Sequence, residues 1–352
     1  MAQIRYERGD EALTPHAADV LERDYAEAGF ARGWCPQAKP VPEYYFDFHV
    51  HYMDETDRPL AEVIAPDLNR VMDQQVLRTL LILRMHGEKA PVADPSSAVL
   101  KDASYPAAQI ASLAQGIAWD QNVVLSAWLD HSAPDAQLVR QVAALGVRCI
   151  KLHNAPVIAQ AAPADLWLSP AWQEAFAAMG ELKLPVLWHV TQRLPSNAYT
   201  GGGRNTYWNV GWKNGVSYGN EELLQAFLAC CRRFPQLNFV GAHQLHVGWE
   251  RLDELFTAHP NLHVDTTVGC TLRFFDTLYP QDKAFLRTIF IKWADRILYG
   301  TDSFWRGKGD LGIPDLGNEH MNFLRALDLP GEALQKICHL NAERLTGLSP
   351  LD

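Results

Sequence analysis

Nowhere does this 352-residue sequence approach the ~18 consecutive apolar residues that a membrane span needs. Its opening residues, MAQIRYERGDEALT, lack the apolar core of a secretory signal. No C-x-x-C pair occurs among Cys35, Cys149, Cys230, Cys231, Cys270 and Cys338, which argues against thiolate chemistry. In a long chain without a secretory signal, an even cysteine count does not imply disulfides. A soluble, reduced, cytoplasmic protein is therefore expected. No lysine/arginine cluster tracks a phosphate backbone, and the net charge of -10 disfavours nucleic acid and anionic membrane as partners. The G-x-S-x-G elbow of serine hydrolases is missing. The glycines at 201–203 are not followed by the Lys-Ser/Thr of a phosphate-binding loop.

What is present is a rhythm. Hydrophobic residues make up 48% of the chain, enough for a large core without disulfides or a structural metal. Short β-rich runs recur at 44–51, 78–85, 122–130, 147–154, 185–192, 237–245, 262–269 and 296–303. Several are nearly continuous in apolar residues, as parallel strands buried on both faces require. Helix signals lie between them. Ser132 and Pro134 precede Leu138, Val139, Val142 and Leu145, with Gly146 closing the helix. Ser169-Pro170 offers an N-cap and a first-turn proline, and Asn220-Glu221-Glu222 opens a helix that ends in Arg232 and Arg233. Eight strands alternating with helices predict an α/β fold, a (β/α)₈ TIM barrel, with a doubly wound open sheet as the alternative. Residues 1–43 form an N-terminal extension packed on a barrel of residues 44–352. Residues 86–107 read as a loop. A long Gly-, Asn- and aromatic-rich loop at 193–219 follows strand 5, either as a lid or as an ordered insertion and homo-oligomer contact.

Polar residues cluster at the ends of these strands. In Asp47-Phe48-His49-Val50-His51 the two histidines are two apart, so they project together from the strand end. Alone, such a pair is either half of a metal site or two unrelated histidines in a turn. His189, His243 and Asp302 fall late in the fifth, sixth and eighth strands. A parallel barrel gathers all strand C-termini on one face, so these residues converge there. Imidazoles and a carboxylate in one polar mouth suit zinc, manganese, iron or nickel.

The segments DFHVH, GVRCIKLHNAP, LPVLWHV, FPQLNFVGAHQLH, PNLHVDTTVG, DRILYGTDSFW and KICHLNAERLTGL run in order through residues 47–348. In these the chain resembles the amidohydrolase superfamily, in the amidohydrolase-related branch that includes carboxymuconate-semialdehyde-type decarboxylases. The resemblance implies His49, His51, His189 and Asp302 as ligands of one divalent metal ion, Zn²⁺ first, with Mn²⁺, Fe²⁺ or Ni²⁺ as alternatives. It implies His243 as the residue that acts on substrate or activated water, or touches a second metal. Asp302 doubles as general base. Binuclear members bridge two metals with a carbamylated lysine on the fourth strand, where Lys151 lies. The reading preferred here is a salt-bridged Lys151 and a single ion. His153 shares its face. Asn341 and Arg344 fit a closing helix that ties the chain end to the barrel.

Other residues receive plainer readings. His16, His259, His320 and His339 lie away from strand ends, and His263 begins its strand on the stability face. His86 and His131 are candidate substrate contacts, and His246 lies just beyond His243. Arg193, Arg204 and Arg273 are candidate anchors for a carboxylate, since a guanidinium grips one bidentately. Trp208, Trp212 and Tyr218 suit a planar substrate. The expected activity is metal-assisted hydrolysis of a small-molecule amide, lactone or ester. The alternative is non-oxidative decarboxylation of a small unsaturated or aromatic acid. A metal-free barrel used for binding or assembly is disfavoured, because every expected polar position is filled.

Overall fold

The runs rich in Val, Ile, Leu and aromatic residues do form strands, and their side chains divide by alternation between two cores. The computed structural model describes residues 42–52, 59–73, 75–83, 103–113, 122–132, 134–191, 218–267, 283–305, 321, 324 and 327–351. Within them lie β1 (Tyr45–Tyr52), β2 (Val76–Leu83), β3 (Val123–Trp128), β4 (Cys149–His153), β5 (Val186–His189), β6 (Phe239–Gly241), β7 (Leu262–Asp265), β8 (Ile297–Leu298) and β9 (Ser303–Trp305). All pair in parallel, in the order β8-β7-β6-β5-β4-β3-β2-β1-β9. One set of strand residues, including Phe46, Phe48, Leu80, Ile82, Val124, Leu187, Val240 and Leu298, fills the barrel interior. The other set, including Tyr45, Val50, Leu81, Leu125, Ile150 and Trp188, packs against helix residues such as Val139, Trp172, Phe176, Leu224 and Phe227.

The last strand differs from the sequence expectation. A single strand is predicted over 296–303, but the chain turns between β8 and β9. β8 bonds β7, and β9 bonds β1 through Val50–Ser303, His51–Phe304 and Tyr52–Trp305. Two half-strands thus close the ring, stitched to β1 by Phe48 N–H to Tyr299 O (2.9 Å) and Asp302 N–H to His49 O (2.8 Å). The (β/α)₈ barrel stands; the open sheet does not.

Helix starts also shift. The helix Ala136–Ala144 is capped by Asp135, whose Oδ1 accepts from Gln137 N at 2.7 Å, and not by Ser132. Gly146 does close it, at φ 97°. The helix Asn220–Arg233 runs as read, and Gly219 N–H bonds to Glu222 Oε2 at 2.9 Å ahead of it. Residues 104–107, read as loop, open the helix Ser104–Leu113. The long loop after strand 5 is described only at its end, where Tyr218 OH donates to Ala162 O at 2.7 Å. That contact occupies the Tyr218 hydroxyl. Most of the N-terminal extension, with Cys35, lies outside the described residues. Among the described residues no helix is long and apolar enough to cross a membrane.

At the N-terminal ends of the strands the C-terminal helix is clamped to the barrel. Asn341 Nδ2 donates to Ala294 O (2.6 Å) and Ile297 O (2.8 Å), and Arg344 donates to Asp295 O (3.0 Å), which is the tie expected of these two residues. Glu343, buried, accepts from Arg78 at 2.8 Å and from Tyr44 OH, and pairs with His339 Nδ1 at 3.2 Å. A buried ion pair adds little net stability, but losing one partner strands the other charge. Arg78→Ala should therefore cost about 3–5 kcal/mol in urea unfolding. Arg140→Ala, which removes the exposed Arg140–Glu181 pair, should cost less than about 1 kcal/mol. Equal losses would show that the clamp carries no special stability.

His263 lies near the start of β7 on this same face, as expected, and is buried. Burial, with the charges of Arg296 and Arg344, pushes its imidazole from 6.5 down to about 3. The folded chain keeps it neutral while the unfolded chain protonates it below about 6.5. Between these values the unfolded state binds more protons, so this contribution is complete above the window and is lost as pH falls through it. His263→Asn should flatten the fall of the urea midpoint between about pH 7 and 5. Parallel curves for variant and wild type would remove His263 as a source of acid sensitivity.

Candidate metal centre

The site starts from an irregularity in β1. Strand β1 advances from Asp47 to Val50 while β2 advances only from Thr79 to Leu81, so β1 carries one extra residue. Such a bulge switches the phase of alternation. Phe46 and Phe48 face the barrel interior below it, while Val50 and Tyr52 pack outward above it. His49 and His51 are thereby turned to the mouth together. Their Nε2 atoms lie 3.2 Å apart.

Asp302 comes to them through the turn between β8 and β9. Its φ of 60° is left-handed, which places its carboxylate over β1. Oδ1 lies 3.4 Å from His49 Nε2 and 3.3 Å from His51 Nε2. One ligand atom from each of the three residues falls within 4.8 Å of the others. Asp47 anchors the turn by accepting from Thr301 N (3.0 Å), Thr301 Oγ1 and His49 N (3.2 Å). The Asp302 side chain is 18% exposed, against 0% for His49, so the cluster opens to the mouth at this carboxylate.

His189 and His243 stand beside this group. His189 Nδ1 lies 3.2 Å from His243 Nε2, and its own Nε2 is buried without a partner. His243 Nε2 is 4.0 Å from Asp302 Oδ2. The structure thus joins three of the four expected ligands tightly and sets His189 next to them. His243 begins a turn in which His243, Gln244, Leu245 and His246 all have φ between 52° and 57°. Left-handed backbone costs roughly 1–2 kcal/mol per non-glycine residue, so other contacts must hold it. Gln244 Nε2 donates to Asp265 O and Thr267 O, and Thr191 Oγ1 donates to Leu245 O. Leu245 also occupies the space a Gly241 side chain would need. Residues three apart eclipse in so tight a turn, and His246 stacks on His243 with centroids 5.1 Å apart.

Asp265, at the end of β7, was not singled out in the sequence, nor was Thr267. Asp265 Oδ2 accepts from His49 Nδ1 at 2.7 Å, which leaves His49 Nε2 unprotonated toward the cluster. Its Oδ1 accepts from His243 N at 2.8 Å and Thr267 Oγ1 at 2.6 Å. The signal was available as a polar residue at a strand C-terminus, in HVDTTVG, but nothing in the sequence said which histidine it would meet.

Lys151 is fully buried, and its Nζ lies 2.9 Å from His49 Nε2. Among the described residues no carboxylate pairs with it within 4.0 Å, so the salt bridge preferred for it is replaced by a contact with the cluster itself. His153 stacks on His189 (4.0 Å) and on Trp128 (5.4 Å), and its Nδ1 accepts from Ala155 N at 2.9 Å. With His51–Trp128, His189–His243, His243–His49 and His49–His51 contacts, these rings form a closed belt around the mouth.

The electrostatics follow from burial. Burial lowers His51 to about 4 and His243 to about 3, and holds His153 and His189 well below the ordinary value. Burial also brings Lys151 down to about 8 and raises Asp47 to about 7. For Asp302 and Asp265 burial acts upward, but His49 and its neighbours outweigh it and keep both carboxyls below the usual range. Neutral imidazoles beside ionised carboxylates are the states in which both residue types ligate a metal.

The other candidates have no contact with the cluster among the described residues or lie outside them. His131 is buried, with Nδ1 3.3 Å from Asp130 Oδ1 and its carbonyl accepting from Trp172. His259 and His339 are buried away from the mouth. His16, His86, His320, Arg193, Arg204, Arg273, Trp208, Trp212 and Cys270 lie outside the described residues.

A parallel α/β barrel with imidazoles and carboxylates gathered at its strand C-termini has the architecture of a barrel enzyme's functional face. The chain belongs to the Amidohydrolase family, whose model matches residues 46–348. No curated protein matches it by sequence. Among solved structures it is similar to dihydroorotase from Campylobacter jejuni, at 15% identity over 90% of this chain and 86% of that one, TM-score 0.52. It is similar to 5-carboxyvanillate decarboxylase from Sphingomonas paucimobilis, at 12% identity over 87% of this chain and 100% of that one, TM-score 0.52. The 5-carboxyvanillate decarboxylase from Novosphingobium aromaticivorans, complexed with manganese and 4-hydroxy-3-methoxy-5-nitrobenzoic acid, shares 13% identity over 88% of this chain and 100% of that one, TM-score 0.51. These likenesses are of fold. The family fold thus has hydrolase and decarboxylase relatives.

Gly300 sets the approach of the last turn to β1 and β7. A Cβ there would meet Thr267 Cγ2 at 3.1 Å, His49 Cβ at 3.2 Å and Asp265 Cβ at 3.3 Å. Gly300→Ala should cost about 1–3 kcal/mol in thermal or urea unfolding and weaken metal uptake together with it. Unchanged stability would mean that the turn has slack the geometry does not suggest.

Proposed function

We propose that this chain is a metal-dependent hydrolase of small-molecule amides, lactones or esters, with one divalent ion held by His49, His51, His189 and Asp302. The observation that carries the reading is the grouping of His49, His51 and Asp302 at the open mouth, within 4.8 Å of one another. The donor set fits an ion. His49 is oriented by Asp265 with Nε2 bare, and His189 Nε2 is a buried nitrogen without a partner. Nitrogen and carboxylate donors suit zinc or manganese, with iron and nickel as alternatives. A bound ion of this kind supplies carbonyl polarisation and an acidified water.

The residues supply the rest. Asp302, ionised and partly open to the mouth, accepts the proton of the attacking water. His243 faces the same space and is the residue that meets substrate or that water. The belt of rings walls the mouth and excludes bulk solvent. Decarboxylation of a small planar acid is the second reading, favoured by the rings beside the cluster, where Phe304 stacks on His51 and Trp128 stacks on His153.

Elemental analysis of protein purified without added metal tests the site. About one ion per chain is expected, lost in His49→Ala and kept in Lys151→Ala. Two ions, one lost with Lys151, would replace the single-ion centre by a bridged pair. No ion even after reconstitution would overturn the proposal. Once turnover is found, incorporation of solvent oxygen supports the hydrolase, and release of carbon dioxide supports the lyase.

A further inference from the structure

Two histidines, one on β1 and one on the turn after β6, meet one carboxylate. Asp265 Oδ2 accepts from His49 Nδ1 at 2.7 Å, and its Oδ1 lies 2.6 Å from Thr267 Oγ1. An ionised carboxylate only accepts, so the single hydroxyl hydrogen of Thr267 is committed to Asp265. Thr267 Oγ1 keeps lone pairs, and His243 Nδ1 lies 2.9 Å from it. With the hydroxyl hydrogen spent, that contact is a hydrogen bond only if His243 Nδ1 is the donor. His243 N also reaches this pair, at 2.8 Å from Asp265 Oδ1 and 3.2 Å from Thr267 Oγ1. Ring and main chain of His243 are therefore fixed by the same two residues, on the left-handed turn that places them there.

We propose that Thr267 and Asp265 are positioning residues that hold His243 with its proton on Nδ1, so that its Nε2 keeps an unprotonated lone pair on the side of the metal cluster, where His189 Nδ1 meets it. The inference deepens the reading of His243 given under Proposed function and rests on it for its functional meaning. One consistent set of protons follows around the mouth. His189 Nδ1 donates to His243 Nε2 at 3.2 Å, and the lone pair of His189 then lies on Nε2, its buried atom without a partner. A substrate or water O–H that takes the place of His189 Nδ1–H at His243 Nε2 and gives its proton there leaves an imidazolium with Nδ1–H still on Thr267. The Asp265 charge balances it through the hydroxyl. A histidine locked in the opposite tautomer would offer an N–H to the mouth and could only donate. One carboxylate thus sets both the lone pair of a ligand and that of the neighbouring histidine.

The test reads tautomers directly. Long-range proton–nitrogen correlation spectra of the imidazole rings are recorded on the intact chain, with and without added zinc, and His243 is assigned by the signals lost in His243→Gln. The Nδ1–H form is expected in wild type and in Thr267→Ser. The Nε2–H form or a mixture is expected in Thr267→Val, with the His263 and His339 signals unmoved as a check on folding. An Nε2–H tautomer in wild type overturns the proposal, as does a Thr267→Val spectrum that keeps Nδ1–H. Should Thr267→Val not fold, wild type and Thr267→Ser still decide. Zinc titration separates the two positioning residues. Asp265→Asn, which disturbs the His49 contact, should weaken zinc binding about 10–100-fold, and Thr267→Val should leave it within about tenfold of wild type. If wild type takes up no zinc, the metal reading fails, and the zinc-free spectra still settle the tautomer.

Discussion

Closure of the sheet through β9 on β1 is the constraint on which the rest depends. The last strand cannot run straight, because its first half bonds β7 and its second half bonds β1. The turn between them brings Asp302 N onto His49 O and lifts the Asp302 carboxylate over two histidines from the first strand. A Cβ at position 300 would crowd Thr267, His49 and Asp265 at 3.1–3.3 Å, where the turn runs against β1 and β7.

The two ends of the barrel spend polar groups differently. At the N-terminal ends, Arg78, Glu343, Tyr44 and His339 satisfy one another in a buried clamp. At the C-terminal ends, nitrogens crowd one another and the matching of donors to acceptors is incomplete. Lys151 Nζ faces His49 Nε2, and His189 Nε2 has no partner among the described residues. Buried donors and acceptors are rarely left so poorly matched unless something else completes them. The left-handed turn at His243–His246 adds local strain on the same side, held in place by Asp265, Thr267 and Thr191. A face that stabilises and a face that is kept incomplete is the division expected of an α/β barrel with a site at its strand C-termini.

Much of this was legible in the amino-acid order. Apolar runs separated by helix patterns predicted the barrel, and polar residues at the ends of those runs marked the mouth, because strand periodicity and parallel pairing leave few other arrangements. His49, His51, His189, His243 and Asp302 all lie there. What strand periodicity hid was the bulge in β1. Without it, strict alternation from Phe46 and Phe48 would turn both histidines away from the interior.

The sequence by itself determined the architecture, the face on which the chemistry gathers and the family, since these follow from periodicity and from local motifs. Tertiary structure decided the pairings. Asp265 and Thr267 became partners of His49 and His243 only when β7 packed beside β6 and the closing turn. Lys151 found an imidazole where a carboxylate was expected. Hydrogen-bond partners and tautomers depend on distances of a few tenths of an ångström between strands far apart in the chain, and no spacing along the sequence encodes them.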